Sequence, residues 1–253
     1  MRLCTAGAVR RKTPISRPTL DLTSCDVALH KPASADIDDV NAGTDGAVAD
    51  EYHSYCPEEG HGLPHDPLVA IVGPRPIGWI SSLGAAGNRN LAPYSFFNML
   101  SYRPPLIGFA SNGRKDTVRN VEATGEFVWN LATRPLAEAM NASSAAVPAD
   151  IDEFDLAGLE AAPSTRVAPP RVARSPVAFE CKRTQLILLT DRHGTESNAT
   201  LVVGEIVAVH ILRTLLKDGI YDTAAAAPIL RAGGRGDYFE IGPAGHFHMH
   251  RPD

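Results

Sequence analysis

From about Tyr55 onward, short apolar runs alternate with Gly, Pro and Asn punctuation, the pattern of a chain built from strands and turns. Gly73-Pro74-Arg75-Pro76 ends one segment and releases the strand Ile77–Leu83. Residues 84–89, with Gly84, Gly87 and Asn88, read as a hairpin connection, and Asn90–Tyr94 as the returning strand. Pro104-Pro105 bounds another strand, Leu106–Ser111. Asp116–Ala123 predicts a short helix, with Asp116 at the N-cap and Gly125 just beyond its end. Phe127–Leu131 alternates as a strand, and Pro135–Ser143 predicts a second helix whose proline sits where a missing N–H is harmless. Ile151–Arg174, rich in Pro, Ala and charge, reads as a long surface connection. Phe179–Thr190 and Leu201–Ile211 predict two long strands around the polar turn Asp191–Asn198, and Asp237–Ile241 a closing strand. Strands of that length suit a barrel. The expected class is mainly β with short helices.

The first 54 residues differ. Arg2, Arg10, Arg11, Lys12 and Arg17 precede any acid, Asp36, Asp38, Asp39, Asp45 and Asp50 crowd the second half, and apolar periodicity is weak. Such a stretch cannot bury enough surface to offset the entropy of ordering it. It reads as a disordered extension (1–54) before one domain (55–253); a targeting peptide is the alternative, although a clear apolar core for one is absent.

Composition narrows the function classes. The chain has 253 residues, 44% hydrophobic, with a net charge of -5, enough for a substantial core and too acidic for a nucleic-acid surface. No stretch approaches the ~18 apolar residues that span a bilayer. Cys4, Cys25, Cys56 and Cys181 are scattered, without the C-x-x-C spacing of zinc or redox sites. Reduced thiols in a cytoplasmic protein are the expectation.

The informative block runs from Arg75 to Leu131. It holds R-P-I-G-W-I-S-S-L (Arg75–Leu83), N-L-A-P-Y-S-F-F-N (Asn90–Asn98), S-Y-R-P-P (Ser101–Pro105), S-N-G-R-K-D-T (Ser111–Thr117) and G-E-F-V-W-N-L (Gly125–Leu131). In order and spacing these pieces resemble the flavin reductase-like, FMN-binding split-barrel family, over roughly Tyr55 to the C-terminus. No single piece is decisive; five in register are. The resemblance implies a split β-barrel, bound FMN, NADH or NADPH as co-substrate, a homodimer, and reduced flavin that either leaves for a partner monooxygenase or stays bound. It also implies that Ser81, Ser82 and Leu83, with Pro93, Tyr94, Ser95, Phe96 and Asn98, line the isoalloxazine, many through main-chain groups. Ser111, Arg114, Lys115 and Thr117 would hold the phosphate. No protein nucleophile is implied, because the cofactor carries the hydride chemistry.

The residues make sense without the name. Arg114 and Lys115 are poor neighbours for the positive end of a helix dipole, a conflict that a bound phosphate would relieve; two solvated cations with Asp116 as cap is the plainer reading. Ser81 and Ser82 fall on opposite faces of an apolar strand, and each hydroxyl bonds either nearby backbone or a ligand. Trp79, Phe96, Phe97 and Trp129 read as core. His210 reads as a packed histidine, and Glu205 as solvent-facing or paired across the sheet. His246, His248 and His250 would share one face of a strand, a spacing open to a metal but lacking any Asp or Glu among them. This histidine-rich tail departs from the family pattern, so no nicotinamide or substrate role is carried over to the C-terminus. Other readings are a flavoredoxin-like electron carrier with no nicotinamide site, a flavoenzyme acting on an organic metabolite, and a barrel without cofactor.

Overall fold

The computed structural model describes residues 52–252. The extension read over residues 1–54, with its targeting alternative, lies outside the described residues apart from Tyr52, His53 and Ser54, and the fold below is that of the unit Tyr55–Asp253. Seven antiparallel strands form the main sheet: β1 (Gly78–Leu83), β2 (Arg89–Tyr94), β3 (Phe97–Ser101), β4 (Leu106–Asn112), β5 (Glu126–Asn130), β6 (Val177–Thr190) and β7 (Glu196–Ile211). Their order is β2-β1-β5-β6-β7-β4-β3. The two edge strands, β2 and β3, are separated in the chain only by Ser95 and Phe96. Three Cα steps reach at most about 11 Å, so the sheet must curl until its edges nearly meet. Phe96 O accepts the Ala110 N–H of β4 at 2.8 Å and fastens the link to the second edge. The result is a split barrel, mainly β with short helices.

Strand alternation sorts the side chains into two cores. Ile80, Ile107, Phe109, Phe127 and Val202 pack with Val118 and Val121 of helix α1 (Asp116–Thr124). On the other face, Trp79 and Leu91 pack with Leu136 and Met140 around helix α2 (Ala137–Ala142), and with Phe154 and Val172. Ser82 thus shares the α1 side with Ile80, and Ser81 the opposite side with Trp79.

The helix α1 starts one residue away from expectation. Lys115, not Asp116, is the N-cap, and no side chain caps the helix. Asp116 is instead the first helical residue, ion-paired with Arg119 one turn on. Gly125 does end it, at φ 74°, a left-handed conformation that favours glycine.

Four further differences have local causes. Strand β3 was unexpected because its Asn98, Met99 and Leu100 are exposed and lack a buried alternation. Strand β7 begins at Glu196 rather than Leu201 because the Asp191 carboxylate accepts the His193 and Thr195 N–H groups, each at 2.8 Å, and closes the turn early. The expected closing strand, seen as Tyr238–Glu240, pairs with Ile229–Arg231 in a separate three-stranded sheet with Arg75–Pro76, and so does not close the barrel. Arg231 turns that hairpin back by donating to Gly234 O (2.9 Å) and Asp237 O (2.8 Å). The tail from His246 carries no strand, so its histidines share no sheet face; the His246 and His248 rings meet edge-on at 4.7 Å. Among the described residues no group of three or more His, Cys, Asp or Glu could hold a metal, and no helix is long and apolar enough to cross a membrane.

Ile151–Arg174 runs over the surface as expected, but it is anchored at several buried points. It contains a short helix, Glu153–Leu156, capped by Asp152 through the Phe154 N–H at 2.8 Å, and it buries Phe154, Leu159 and Val172. Its anchor is Glu180 of β6, fully buried. That carboxylate accepts from Thr165 N (2.7 Å), Thr165 Oγ1 (3.0 Å), Arg166 N (2.5 Å) and Val167 N (3.2 Å), and sits 2.6 Å from His210 Nε2. Burial alone would push its pKa up; the bonds from Thr165, His210 and Arg166 outweigh that and hold it at about 2.

Gly204, in the middle of β7, lets the sheet pack on itself: a Cβ there would lie 2.4 Å from Phe127 Cε1 and 3.3 Å from Cys181 Cβ. Gly204→Ala is expected to lower stability by about 1–3 kcal/mol, the usual range for overpacking, read as a lower urea midpoint; an unchanged midpoint would show that Phe127 yields freely. Because Glu180 titrates lower folded than unfolded, its stabilisation is present above its ordinary value near 4.5 and drains away as the pH falls towards about 2. The loss should amount to roughly 3 kcal/mol. Glu180→Gln should be less stable at neutral pH and should flatten this acid limb in unfolding curves; an acid limb as steep as wild type refutes the assignment.

Candidate functional site

A cleft of about 580 Å³ opens between β2, the first turn of α1 and the segment Ser143–Val147. It is of a size usual for small-ligand sites. Asn90, Pro93 and Tyr94 form one wall, and Gly113 to Thr117 with Arg119 another; Glu153 also lines it. The α1 start that lines the cleft is uncapped, and the free N–H groups of a helix's first turn attract anions. Of the nearby cations, Arg114 is paired with Glu122 and Arg119 with Asp116. Lys115 stands on the wall with no carboxylate partner among the described residues.

Beneath the wall lies a buried polar group. Tyr94 is 7% exposed, and its Oη makes no hydrogen bond among the described residues, although the Ser111 and Thr117 hydroxyls stand beside it. Burial pushes the Tyr94 phenol pKa up, so it holds its proton. Asn90 Nδ2 donates to Thr117 Oγ1 at 2.8 Å and to Ser82 Oγ at 3.3 Å, and Asn120 Nδ2 donates to Ser82 Oγ at 3.2 Å. Glu153 accepts the Leu91 N–H at 3.0 Å, and burial pushes its pKa up as well. An unbonded buried phenol is costly without a partner. A phosphomonoester at the uncapped turn would supply acceptors for it.

The flavin reductase-like domain matches residues 73–228, more than half of the chain. The chain belongs to the flavin reductase-like, FMN-binding split-barrel family. It is 37% identical over 191 residues to an uncharacterized protein of Halalkalibacterium halodurans, covering 73% of this chain and 89% of that one. Among solved structures it is similar to nitrilotriacetate monooxygenase component B of Bacillus cereus, at 30% identity and a TM-score of 0.67, over 72% of this chain and 90% of that one. It is likewise similar to the 2-nitrobenzoate 2-nitroreductase NbaA of Pseudomonas fluorescens, at 30% identity and a TM-score of 0.64, over 73% and 88%.

In this flavin reductase-like chain, the fold gathers only part of the sequence-derived set. Pro93, Tyr94, Arg114, Lys115 and Thr117 line the cleft. Ser111 lies just below, its Oγ donating to Gly113 O at 2.8 Å. Ser82 is buried one layer down, reached through Asn90 and Asn120. Ser81 is committed to the other face, where its Oγ donates to Pro170 O at 2.5 Å. Leu83 sits half-buried opposite Arg89, where β1 and β2 begin their hairpin. Asn98 lines a different, mainly apolar hollow of about 290 Å³ with Phe97, Trp129, Phe179 and Tyr221.

Ser95 and Phe96 form the rim between the two edge strands. Arg75 holds it: Nε donates to Ser95 O at 3.2 Å, Nη1 to Val72 O at 2.7 Å and to Val69 O, and Nη2 to Ala232 O at 3.4 Å. The guanidinium carbon lies 5.6 Å from the centroid of the Phe96 ring. Phe96 is therefore not core, as the sequence suggested, but 43% exposed beneath a cation. Trp79 and Trp129 are buried as expected, with Phe97 stacked on Trp129 at 5.6 Å and 9°.

Sequence reasoning missed Asn90, Arg119, Glu153 and the Ser143–Val147 wall. One signal was legible: Asn90 and Tyr94 are four apart in a strand and so share a face. Glu153 had none, because only the folded loop carries it to β2.

Proposed function

We propose that this chain binds FMN non-covalently in the cleft, reduces it with NADH or NADPH, and hands reduced flavin to a partner monooxygenase. The observation that carries the reading is the uncapped first turn of α1 beside Lys115, with the unbonded Tyr94 Oη buried under it. These groups suit a phosphate dianion: backbone N–H donors, a free ammonium and hydroxyl protons converge on one place. Arg114 joins them by leaving Glu122. That pair is largely exposed, and such pairs are worth at most about 1 kcal/mol. When bound, FMN supplies the ring that accepts the hydride. The chain's own work is to hold the phosphate, to seat the ring against Pro93 to Phe96, and to keep that rim still through Arg75. The Bacillus cereus relative is a monooxygenase component, which supports an oxygenase partner here.

A second reading, reduction of an organic compound at the protein itself, is favoured by the apolar, aromatic-lined hollow and by the likeness to a nitroreductase. Among the described residues, the outer half of β6, past Arg183, pairs only with β7 and exposes Ile187, Leu188 and Leu189. A long apolar strand edge of this kind calls for cover, and a second copy of the chain is the proposed cover.

Purified protein with FMN and NADH or NADPH under air should consume one nucleotide in a flavin-dependent way. No consumption defeats the reductase reading; tight FMN with slow nicotinamide reaction and fast exchange with a protein donor points to an electron carrier. Consumption that needs a nitroaromatic, without air, selects the second reading. Arg114→Ala with Lys115→Ala should weaken FMN about tenfold or more, as expected for lost charge-assisted bonds; unchanged affinity ends the phosphate assignment. Light scattering should give a dimer mass, and Leu188→Glu a monomer; a wild-type monomer at all concentrations refutes the proposed cover.

A further inference from the structure

We propose that Asn90 is a positioning residue for phosphate: its amide fixes the Thr117 hydroxyl as a donor into the cleft, and so sets a preference for FMN over unphosphorylated flavin. The inference rests on the FMN reading above.

Asn90 is 5% exposed and faces Ser82 directly across β1 and β2. Its amide nitrogen has two protons, one for Thr117 Oγ1 at 2.8 Å and one for Ser82 Oγ at 3.3 Å. The second is braced from below, since Asn120 Nδ2 donates to the same Ser82 oxygen at 3.2 Å. A hydroxyl that accepts an amide N–H keeps its own proton to give. Thr117, in the first turn of α1, would ordinarily return that proton to the carbonyl four residues back. That carbonyl is Gly113 O, and it is already occupied by Ser111 Oγ at 2.8 Å and by the Lys115 N–H at 3.0 Å. The Thr117 proton is therefore turned away from that carbonyl, towards the cleft it lines and the Tyr94 hydroxyl beside it.

Two hydroxyl protons and uncapped backbone N–H groups make a patch of donors, in a cleft that the Asp116 and Glu153 carboxylates also line. A phosphate dianion has several acceptor oxygens for such a patch, whereas the terminal hydroxyl of riboflavin brings one oxygen and a proton of its own. Discrimination at this spot thus depends on the direction of one proton, and Asn90 sets it without touching the ligand's ring.

The test is a double-mutant cycle on Asn90→Ala and Thr117→Val, titrating FMN and riboflavin by flavin fluorescence into wild type, both single variants and the double. Each single variant should weaken FMN about tenfold, the scale of one buried bond to a charged group. The double should be no weaker than Thr117→Val alone. Riboflavin affinity should be the same in all four proteins. Additive losses in the double mean that Asn90 does not act through Thr117, and an equal loss for riboflavin means that it merely supports β2; either overturns the inference, as does an Asn90→Ala protein that binds FMN like wild type. If Asn90→Ala does not fold, Asn90→Ser takes its place in the cycle. A wild-type protein that ignores FMN would instead refute the FMN reading itself.

Discussion

Tyr94 ends one edge strand of the barrel and Phe97 begins the other, and the chain between them is two residues long. The link leaves the sheet no choice but to curl, because a flat sheet of seven strands at about 4.8 Å spacing would set its edges far beyond the reach of Ser95 and Phe96. The same link cannot hold itself still. Its two carbonyls are taken from outside, Ser95 O by Arg75 and Phe96 O by the Ala110 N–H. Arg75 spends the rest of its donors on Val69, Val72 and Ala232, so one planar cation ties the rim to two other stretches of chain. A rigid rim and a curled sheet are one arrangement seen at two scales.

Placed on that frame, α1 brings an uncapped N-terminus to the cleft beside β2. Helix starts are usually capped by Ser, Thr, Asp or Asn; here the N-cap is Lys115, and the neighbouring acid, Asp116, is turned to Arg119 instead. With Tyr94 Oη also left without a bond among the described residues, an uncapped helix start and a buried phenol meet at the same cleft.

Glu180 illustrates the opposite economy. A carboxylate buried in a strand would be strongly unfavourable alone, yet three backbone N–H groups, a hydroxyl and an imidazole nitrogen surround it. The carboxylate ties what reads as a long surface connection down across the sheet, and that strap carries Phe154 into the second core and Glu153 to the cleft.

Most strands, the two main helices and the cationic and hydroxyl residues around the start of α1 were legible in the chain because they are written locally. Alternating apolar positions, turn residues and a glycine after α1 act over a few neighbours, and five motif pieces kept their order. What the chain alone left open depends on residues far apart in it. The pairing of Ser81 with Pro170, of Glu180 with Thr165 and His210, and of Asn90 with Thr117 exists only after the sheet has curled. So the sequence by itself determined the elements and the chemistry carried at the start of α1. Only the tertiary structure decided which hydroxyls face the cleft and which are already spent elsewhere, because a hydrogen bond is settled by the distance and direction of two groups and not by their positions in the chain.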